Sequence, residues 1–333
     1  MTSELRQKPS RLSVAPMMDW TDRHCRRFHR ALSRHALLYT EMVTAPALVK
    51  GDARHLLRHD TTEYPLALQL GGSDPAELAE AVRIACGEGD FYEINLNVGC
   101  PSDRVQSGFF GAVLMERPGL VAECVAAMIG ASDGPEITVK CRIGVDDQVP
   151  EEVLPDFLSR VSAAGVGRFA IHARKAWLQG LSPKENREIP PLDYDLVRAM
   201  KGMFPALDLS INGGIGTLNG AEAFLEQGLD GVMFGRAAYH DPMTVLSQAD
   251  RRIFKSGEDR TAMDAIDEMR PYIAAHLAEG GKLAQVTRHM LGLFAGRPGA
   301  RIWRRVLSEH GHRQDAGLEV MDLALSEMQA RAA

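Results

Sequence analysis

From Arg11 to about residue 240 the chain repeats one pattern: a short run of alternating apolar and polar residues, then a stretch with helical spacing. The runs are RLSVAPM, ALLYTEM, YPLALQLGG, FYEINLNVG, EITVKCRIG, GRFAIHAR, LDLSINGGI and DGVMFGRAA. Runs of this length, rich in β-branched and aromatic residues, predict strands. The segments between them predict amphipathic helices. In DPAELAEAVRIACGEG, Asp74 is placed to cap, Pro75 sits in the first turn, and Leu78, Val82 and Ala85 share a face.

Eight β-α repeats ending near Pro242 predict a TIM barrel, an α/β fold. A doubly wound open sheet is the alternative, but Pro16, Met17 and Met18 stand where its GxGxxG turn belongs. After about residue 250 the strand pattern stops. TAMDAIDEMRPYIAAHLAEG places Ile266, Met269, Ile273 and Leu277 at helical spacing, and KLAQVTRHMLGLF does the same with Leu283, Val286, Met290 and Phe294. Two further helices are predicted around 302–308 and 318–328. The expected organisation is a catalytic barrel over 1–250 and a small helical domain over 251–333.

At 333 residues, 45% of them hydrophobic, the chain is long enough to bury a large core. Its five cysteines form no CxxC pair and are odd in number, which argues against a disulfide framework or a zinc site and for a reducing compartment. The first residues lack the apolar core of a signal peptide, and no run approaches the roughly 18 apolar residues of a membrane span. A cytoplasmic monomer with no metal and no membrane partner is expected. A net charge of -6 excludes a protein that coats nucleic acid indiscriminately but leaves room for a local basic patch.

In a barrel, reactive groups belong at the C-terminal ends of strands, on the parity that faces the lumen. In EITVKCRIG that parity groups Thr138, Lys140 and Arg142; in EINLNVGC it aligns Glu93, Asn95 and Asn97; in GRFAIHAR it pairs His172 with Arg174. A lysine in such a strand is costly unless it meets an anion or a polar ligand. INGGIG after the seventh strand and FGRAA after the eighth, with Arg236, occupy the usual phosphate site of barrel enzymes, although glycines also suit tight turns. His172 alone would serve as a core histidine, Gln69 as a lumen hydrogen-bonder and Met17 and Met18 as core. Cys100 is odder, because a packing cysteine usually lies within an element and this one stands at a Gly-Cys-Pro turn.

Two stretches point outward. HARKAWLQGLSPKENREIPPLDYDLV follows the sixth strand as a long basic and aromatic insertion, with Arg174, Lys175, Trp177, Lys184 and Arg187. Between Gly281 and Arg313 stand Lys282, Arg288, Arg297, Arg301, Arg304, Arg305 and Arg313 against one acid, Glu309, with Trp303 interleaved. That excess suits a polyanion surface; a solvated charged face is the alternative.

APMMDWTD, LQLGG, INLNVGCPS, VKCRIG, IHARKAW, SINGGI and DGVMFGRAAYHDP, in this order across the whole chain, resemble the flavin-dependent tRNA dihydrouridine synthases. GLSPKENREIPPLDY and LGLFAGRPGARIWRR resemble the A subfamily, whose members reduce uridines 20 and 20a of the tRNA D-loop. The resemblance implies a barrel holding FMN, NADPH as reductant, and a helical tail that helps to grip tRNA. It implies further that Pro16, Met17 and Met18 line the isoalloxazine, that Gln69, Lys140 and His172 contact the ring or ribityl part, and that Asn212, Gly213, Gly214, Gly235 and Arg236 hold the phosphate. Cys100 becomes the catalytic acid. Lys184, Arg187, Arg301 and Arg304 become tRNA contacts, with Asn97 a hydrogen-bonder of the flipped uridine.

The implied chemistry suits a thiol. Hydride delivered to C6 of uracil leaves negative charge at C5, and a cysteine, with an ordinary pKa of about 8.5, is protonated at neutral pH yet acidic enough to supply the proton. Other readings remain open on the residues alone: a flavin barrel acting on free pyrimidines, as the dihydroorotate dehydrogenases do, a Schiff-base aldolase built on Lys140, or a tRNA-binding protein without chemistry.

Overall fold

The computed structural model describes residues 8–51, 53–102 and 108–332. Eight strands close a parallel barrel in chain order: β1 (Leu12–Val14), β2 (Leu37–Thr44), β3 (Leu66–Gly71), β4 (Glu93–Val98), β5 (Glu136–Arg142), β6 (Arg168–His172), β7 (Asp208–Asn212) and β8 (Gly231–Phe234). β1 pairs with β2 on one side and β8 on the other, which closes the ring. Seven strands lie within their alternating runs; β2 continues two residues past ALLYTEM, through Val43 to Thr44.

Parity decides what each strand faces. Ile94, Leu96 and Val98 of β4 join the large apolar core between barrel and helices, while Glu93, Asn95 and Asn97 alternate with them and are also buried. Leu37, Tyr39, Ala67, Ala170 and Met233 form a second apolar cluster with Ala15. The lumen therefore has an apolar side and a polar side. The helix Pro75–Glu88 forms as its pattern requires: Asp74 accepts the backbone N–H of Glu77 at 2.9 Å, and Leu78, Val82 and Ala85 are buried.

After β8 the described residues form no further strand. The helix Ala262–Ala278 buries Ile266, Met269 and Ile273, and the helices Leu283–Thr287, Ala300–His310 and Glu319–Ala332 follow. The spacing over 282–294 predicts one continuous helix, but the α-helix stops at Thr287. Beyond it, Met290, Leu293, Ala295 and Arg297 each donate to the carbonyl three residues back. The reason is tertiary. A Cβ at Gly292 would stand 2.5 Å from the His240 carbonyl oxygen, so backbone presses on backbone, and the Trp303 indole N–H donates to the Met290 carbonyl at 2.9 Å.

The tail is fastened to the first barrel helix, Arg23–Leu32. Glu268 accepts from Arg27 of that helix at 2.9 Å, from Arg34 just beyond it at 2.6 Å and from Arg260 of the tail itself at 2.8 Å, and Tyr272 meets the His24 ring at 2.7 Å. Among the described residues no helix is long and apolar enough to cross a membrane.

Candidate functional site

Strand register brings the predicted lumen residues together at the C-terminal mouth. Asn97 lies beside Lys140, Arg142 beside His172, and His172 beside Asn212. Lys140 donates Nζ to Asn212 Oδ1 at 3.2 Å, and Asn212 donates Nδ2 to the Met233 carbonyl at 2.8 Å. Among the described residues no carboxylate pairs with Lys140. Burial, helped by the charge of Arg142, lowers the lysine to about 8. Burial also pushes His172 well below its usual range, with the Arg142 and Lys140 charges adding to the effect, so its imidazole is neutral at pH 7. A partly buried ammonium with no carboxylate beside it, next to a neutral imidazole, suits an electron-rich ligand.

The glycine turns complete that cradle. Gly213 has φ +115° and Gly214 φ +69°, and a Cβ would come within 2.6 Å of the His172 ring at the first and 2.7 Å of Leu192 at the second. Only glycine fits such a conformation at this approach. Tyr194 donates its hydroxyl to the Gly213 carbonyl at 2.6 Å, which gives that oxygen a partner within the protein. At Gly235 a Cβ would meet nothing within 4 Å, and Arg236 begins the short helix Arg236–His240, its Nη1 on Glu188 of the insertion at 2.5 Å. Glycine backbone without side chains at two adjacent strand ends, close-packed at Gly213 and Gly214 and open at Gly235, with a guanidinium beside it, fits a phosphate.

The turn that carries Cys100 is built by Asn97. Its Oδ1 accepts the backbone N–H groups of Gly99 and Cys100 at 3.1 and 3.0 Å, and its Nδ2 donates to Gln69 Oε1 at 2.8 Å. Most of the hydrogen-bonding capacity of Asn97 is thus spent on the protein. Gln69 is likewise a link in the lumen, its Nε2 donating to Asn95 Oδ1 at 2.8 Å. The loop holding Pro16, Met17 and Met18 starts from the Ala15 N–H on the Phe234 carbonyl at 2.7 Å, and Met18 is 56% exposed, so it is no core residue.

Arg142 is the residue whose partners the sequence did not disclose. It is buried, and it donates to the carbonyls of Gly99 at 2.9 Å and of Lys175 and Asn186 at 3.0 Å each. It ties the cysteine turn to the insertion. Burial pulls its guanidinium down to about 10. Parity places Arg142 in the lumen, yet nothing local reveals partners far along the chain. Asn186 was also missed: fully buried, it clasps the Trp177 N–H and the Trp177 and Leu181 carbonyls and so folds the insertion around itself.

Lys184 and Arg187 are exposed on that insertion, and Arg301 and Arg304 are exposed on the helix Ala300–His310, their side chains making no hydrogen bond or ion pair among the described residues. The basic run is smaller than it reads. Arg288 is spent on Asp22 at 2.5 Å, and Arg305 on Glu309 and Glu327 at 3.2 and 2.5 Å. Trp303 is not an RNA-facing aromatic at all: it is fully buried, packed edge-on against Phe294 with centroids 5.1 Å apart.

The model of a family described as dihydrouridine synthase matches residues 13–330. A protein of Shewanella oneidensis named tRNA-dihydrouridine(20/20a) synthase is 57% identical over 318 residues, covering 95% of this chain and 93% of its own. One of the same name from Escherichia coli K12 is 56% identical over 317 residues, covering 95% of this chain and 90% of its own. Among solved structures, an old yellow enzyme homologue from Zymomonas mobilis aligns with TM-score 0.50 at 13% identity over 75% of this chain and 90% of its own. Morphinone reductase in complex with tetrahydroNAD aligns with TM-score 0.50 at 12% identity over 77% and 90%. At such identities these two speak for the barrel fold alone.

Proposed function

Because this chain belongs to the dihydrouridine synthase family, we propose that it reduces the C5=C6 bond of uridines 20 and 20a in tRNA, the activity for which its relatives are named. The cofactor is FMN and the reductant NADPH. Residues 1–250 form the catalytic barrel, and 251–333 form a tail that helps to grip tRNA.

Asn212, Gly213, Gly214, Gly235 and Arg236 hold the FMN phosphate, while Pro16, Met17, Met18, Gln69, Lys140 and His172 surround the ring and ribityl part. Bound there, FMN supplies the hydride that uracil C6 accepts. Lys140 contributes positive charge to this pocket, and His172, kept neutral, donates or accepts a hydrogen bond without adding to it. Cys100 gives its Sγ proton to C5. Asn97 and Arg142 hold the two ends of the turn that aims the thiol, Asn97 by accepting N–H groups and Arg142 by donating to the Gly99 carbonyl. The remaining Nδ2 proton of Asn97 is available to the flipped base. Lys184, Arg187, Arg301 and Arg304 contact the RNA backbone and present the uridine.

The observation that carries this reading is the convergence, on one barrel mouth, of a cysteine turn, a lysine without a carboxylate partner among the described residues, a neutral histidine and two glycine turns. The test is to record the visible spectrum of the purified protein, then incubate wild type and Cys100→Ala with unmodified tRNA and NADPH and map dihydrouridine by position. Bound flavin, product at positions 20 and 20a and a strongly impaired variant are expected. A colourless protein that FMN does not reconstitute would overturn the reading, and product made equally well by Cys100→Ala would remove the cysteine from it.

A further inference from the structure

Five side chains run through the polar side of the lumen toward the cysteine turn, and every hydrogen bond between them points the same way. Asn97 Oδ1 accepts the Gly99 and Cys100 N–H groups at 3.1 and 3.0 Å. Asn97 Nδ2 donates to Gln69 Oε1, Gln69 Nε2 to Asn95 Oδ1, and Asn95 Nδ2 to Thr138 Oγ1, each at 2.8 Å. The Thr138 hydroxyl donates to Glu93 Oε1 at 3.0 Å. The chain starts on two backbone N–H groups and ends on a carboxylate.

Its two ends demand the same sense. A backbone N–H only donates and a carboxylate only accepts, so three carboxamides and one hydroxyl between them have a single arrangement in which no two like ends meet. Burial raises Glu93, and Arg168, its ion-pair partner, together with donation from the Tyr39 and Thr138 hydroxyls opposes that rise; a protonated carboxyl would leave the buried guanidinium less well matched, so the ion pair favours the carboxylate. Glu93 and Asn95 are fully buried and Gln69 and Thr138 nearly so, so water cannot repair a reversed amide. The strands put the links in register: Gln69 beside Asn95, and Asn95 beside Thr138.

We propose that Thr138 and Asn95, anchored by Glu93, are positioning residues. They fix the sense of this chain and through it keep the Asn97 carbonyl oxygen turned to the Cys100 turn. The inference rests on the reading of Cys100 as the proton donor to C5.

Thr138→Val keeps the shape of the side chain and removes both hydrogen bonds, whereas Thr138→Ser keeps them. In flavin-loaded enzyme reduced with NADPH, Thr138→Val is expected to slow reoxidation by unmodified tRNA about tenfold to a hundredfold, with flavin content and tRNA affinity unchanged, because small misplacements of a reacting group cost this much. Thr138→Ser restores the rate. Alkylation of Cys100 by iodoacetamide, followed by peptide mapping without tRNA, is expected to change in the valine variant and not in the serine variant. Wild-type behaviour of Thr138→Val, or equal impairment of both variants, would overturn the proposal. Cys100→Ala reoxidised at the wild-type rate would instead overturn the reading beneath it.

Should Thr138→Val fail to fold, the isosteric Asn95→Asp decides. Protonated, the introduced carboxyl donates to Thr138 and accepts from Gln69, preserving the sense; ionised, it only accepts and breaks it. Its reoxidation rate is therefore expected to fall with rising pH relative to wild type. A pH profile parallel to that of the wild type would overturn the proposal.

Discussion

The carboxylate of Asp22 and the Nε2 of His289 meet at 3.0 Å, joining the start of the first barrel helix to the tail. The same carboxylate caps that helix, accepting the His24 and Cys25 N–H groups at 2.9 and 3.0 Å. On the other side of the imidazole, the Tyr239 hydroxyl lies 3.2 Å from Nδ1, and the Tyr239 ring stacks on Trp20 with centroids 4.4 Å apart. One carboxylate thus holds the loop after β1, the short helix after β8 and the tail in a common arrangement. Asp22→Ala removes a cap and a buried charge-assisted bond, so a loss of about 2–3 kcal/mol is expected in denaturant titration at neutral pH. Asp22→Asn, which still caps, is expected to lose less.

Acid should weaken the fold before the carboxylates titrate. Burial lowers His24 to about 4 and His29 to about 3, and pushes His172 well below its usual range. Below about pH 6.5 the unfolded chain binds protons at these histidines that the folded chain refuses, so stability falls as pH drops from 6.5 toward 4, by about 1.4 kcal/mol per pH unit for each such histidine. Burial alone would raise Asp22, but His289, the Cys25 N–H and Arg288 together hold it well below the usual carboxylate range, which adds a further loss as pH falls through its unfolded value. Thermal melts from pH 8 to pH 4 check this. A midpoint unchanged down to pH 5 would refute it.

Gly213→Ala puts a methyl 2.6 Å from the His172 ring at a φ of +115°. A strain of about 1–2 kcal/mol localised in the proposed phosphate loop is expected to weaken FMN binding about tenfold. Gly216→Ala is the control, since its Cβ meets nothing within 4 Å. Flavin fluorescence titration of both apoproteins reads the difference; equal affinities would separate this loop from the cofactor.

Arg301 and Arg304 are three residues apart on one helix, and their side chains have no partner among the described residues. Replacing both with alanine is expected to weaken tRNA binding and to flatten its salt dependence by roughly one unit of slope for each phosphate no longer neutralised, with flavin content unchanged. Filter binding at several salt concentrations measures this, and an unaltered slope would remove the helix from the RNA interface.

The alternation of apolar and polar residues settled the strands and the parity of Lys140, His172, Asn95 and Asn97, because a period of two is local and a parallel barrel buries both faces of each strand. Gly213, Gly214 and the Gly-Cys-Pro turn were legible for the same reason: their demands are made by the backbone at one place in the chain. What sequence could not show were pairings that depend on register and closure. Asn97 reads as a lumen amide, and only the folded turn spends its oxygen on Cys100. Arg142 reads as one more lumen cation, and only tertiary structure brings it carbonyls from Gly99, Lys175 and Asn186. Trp303 and the helix predicted over 282–294 misled in the opposite direction, since basic neighbours and helical spacing are local signals. Burial against Phe294 and the close backbone of His240 overrode them. Pattern along the chain decided which strand faces are polar and which apolar, and closure of the barrel against the tail decided which polar groups meet.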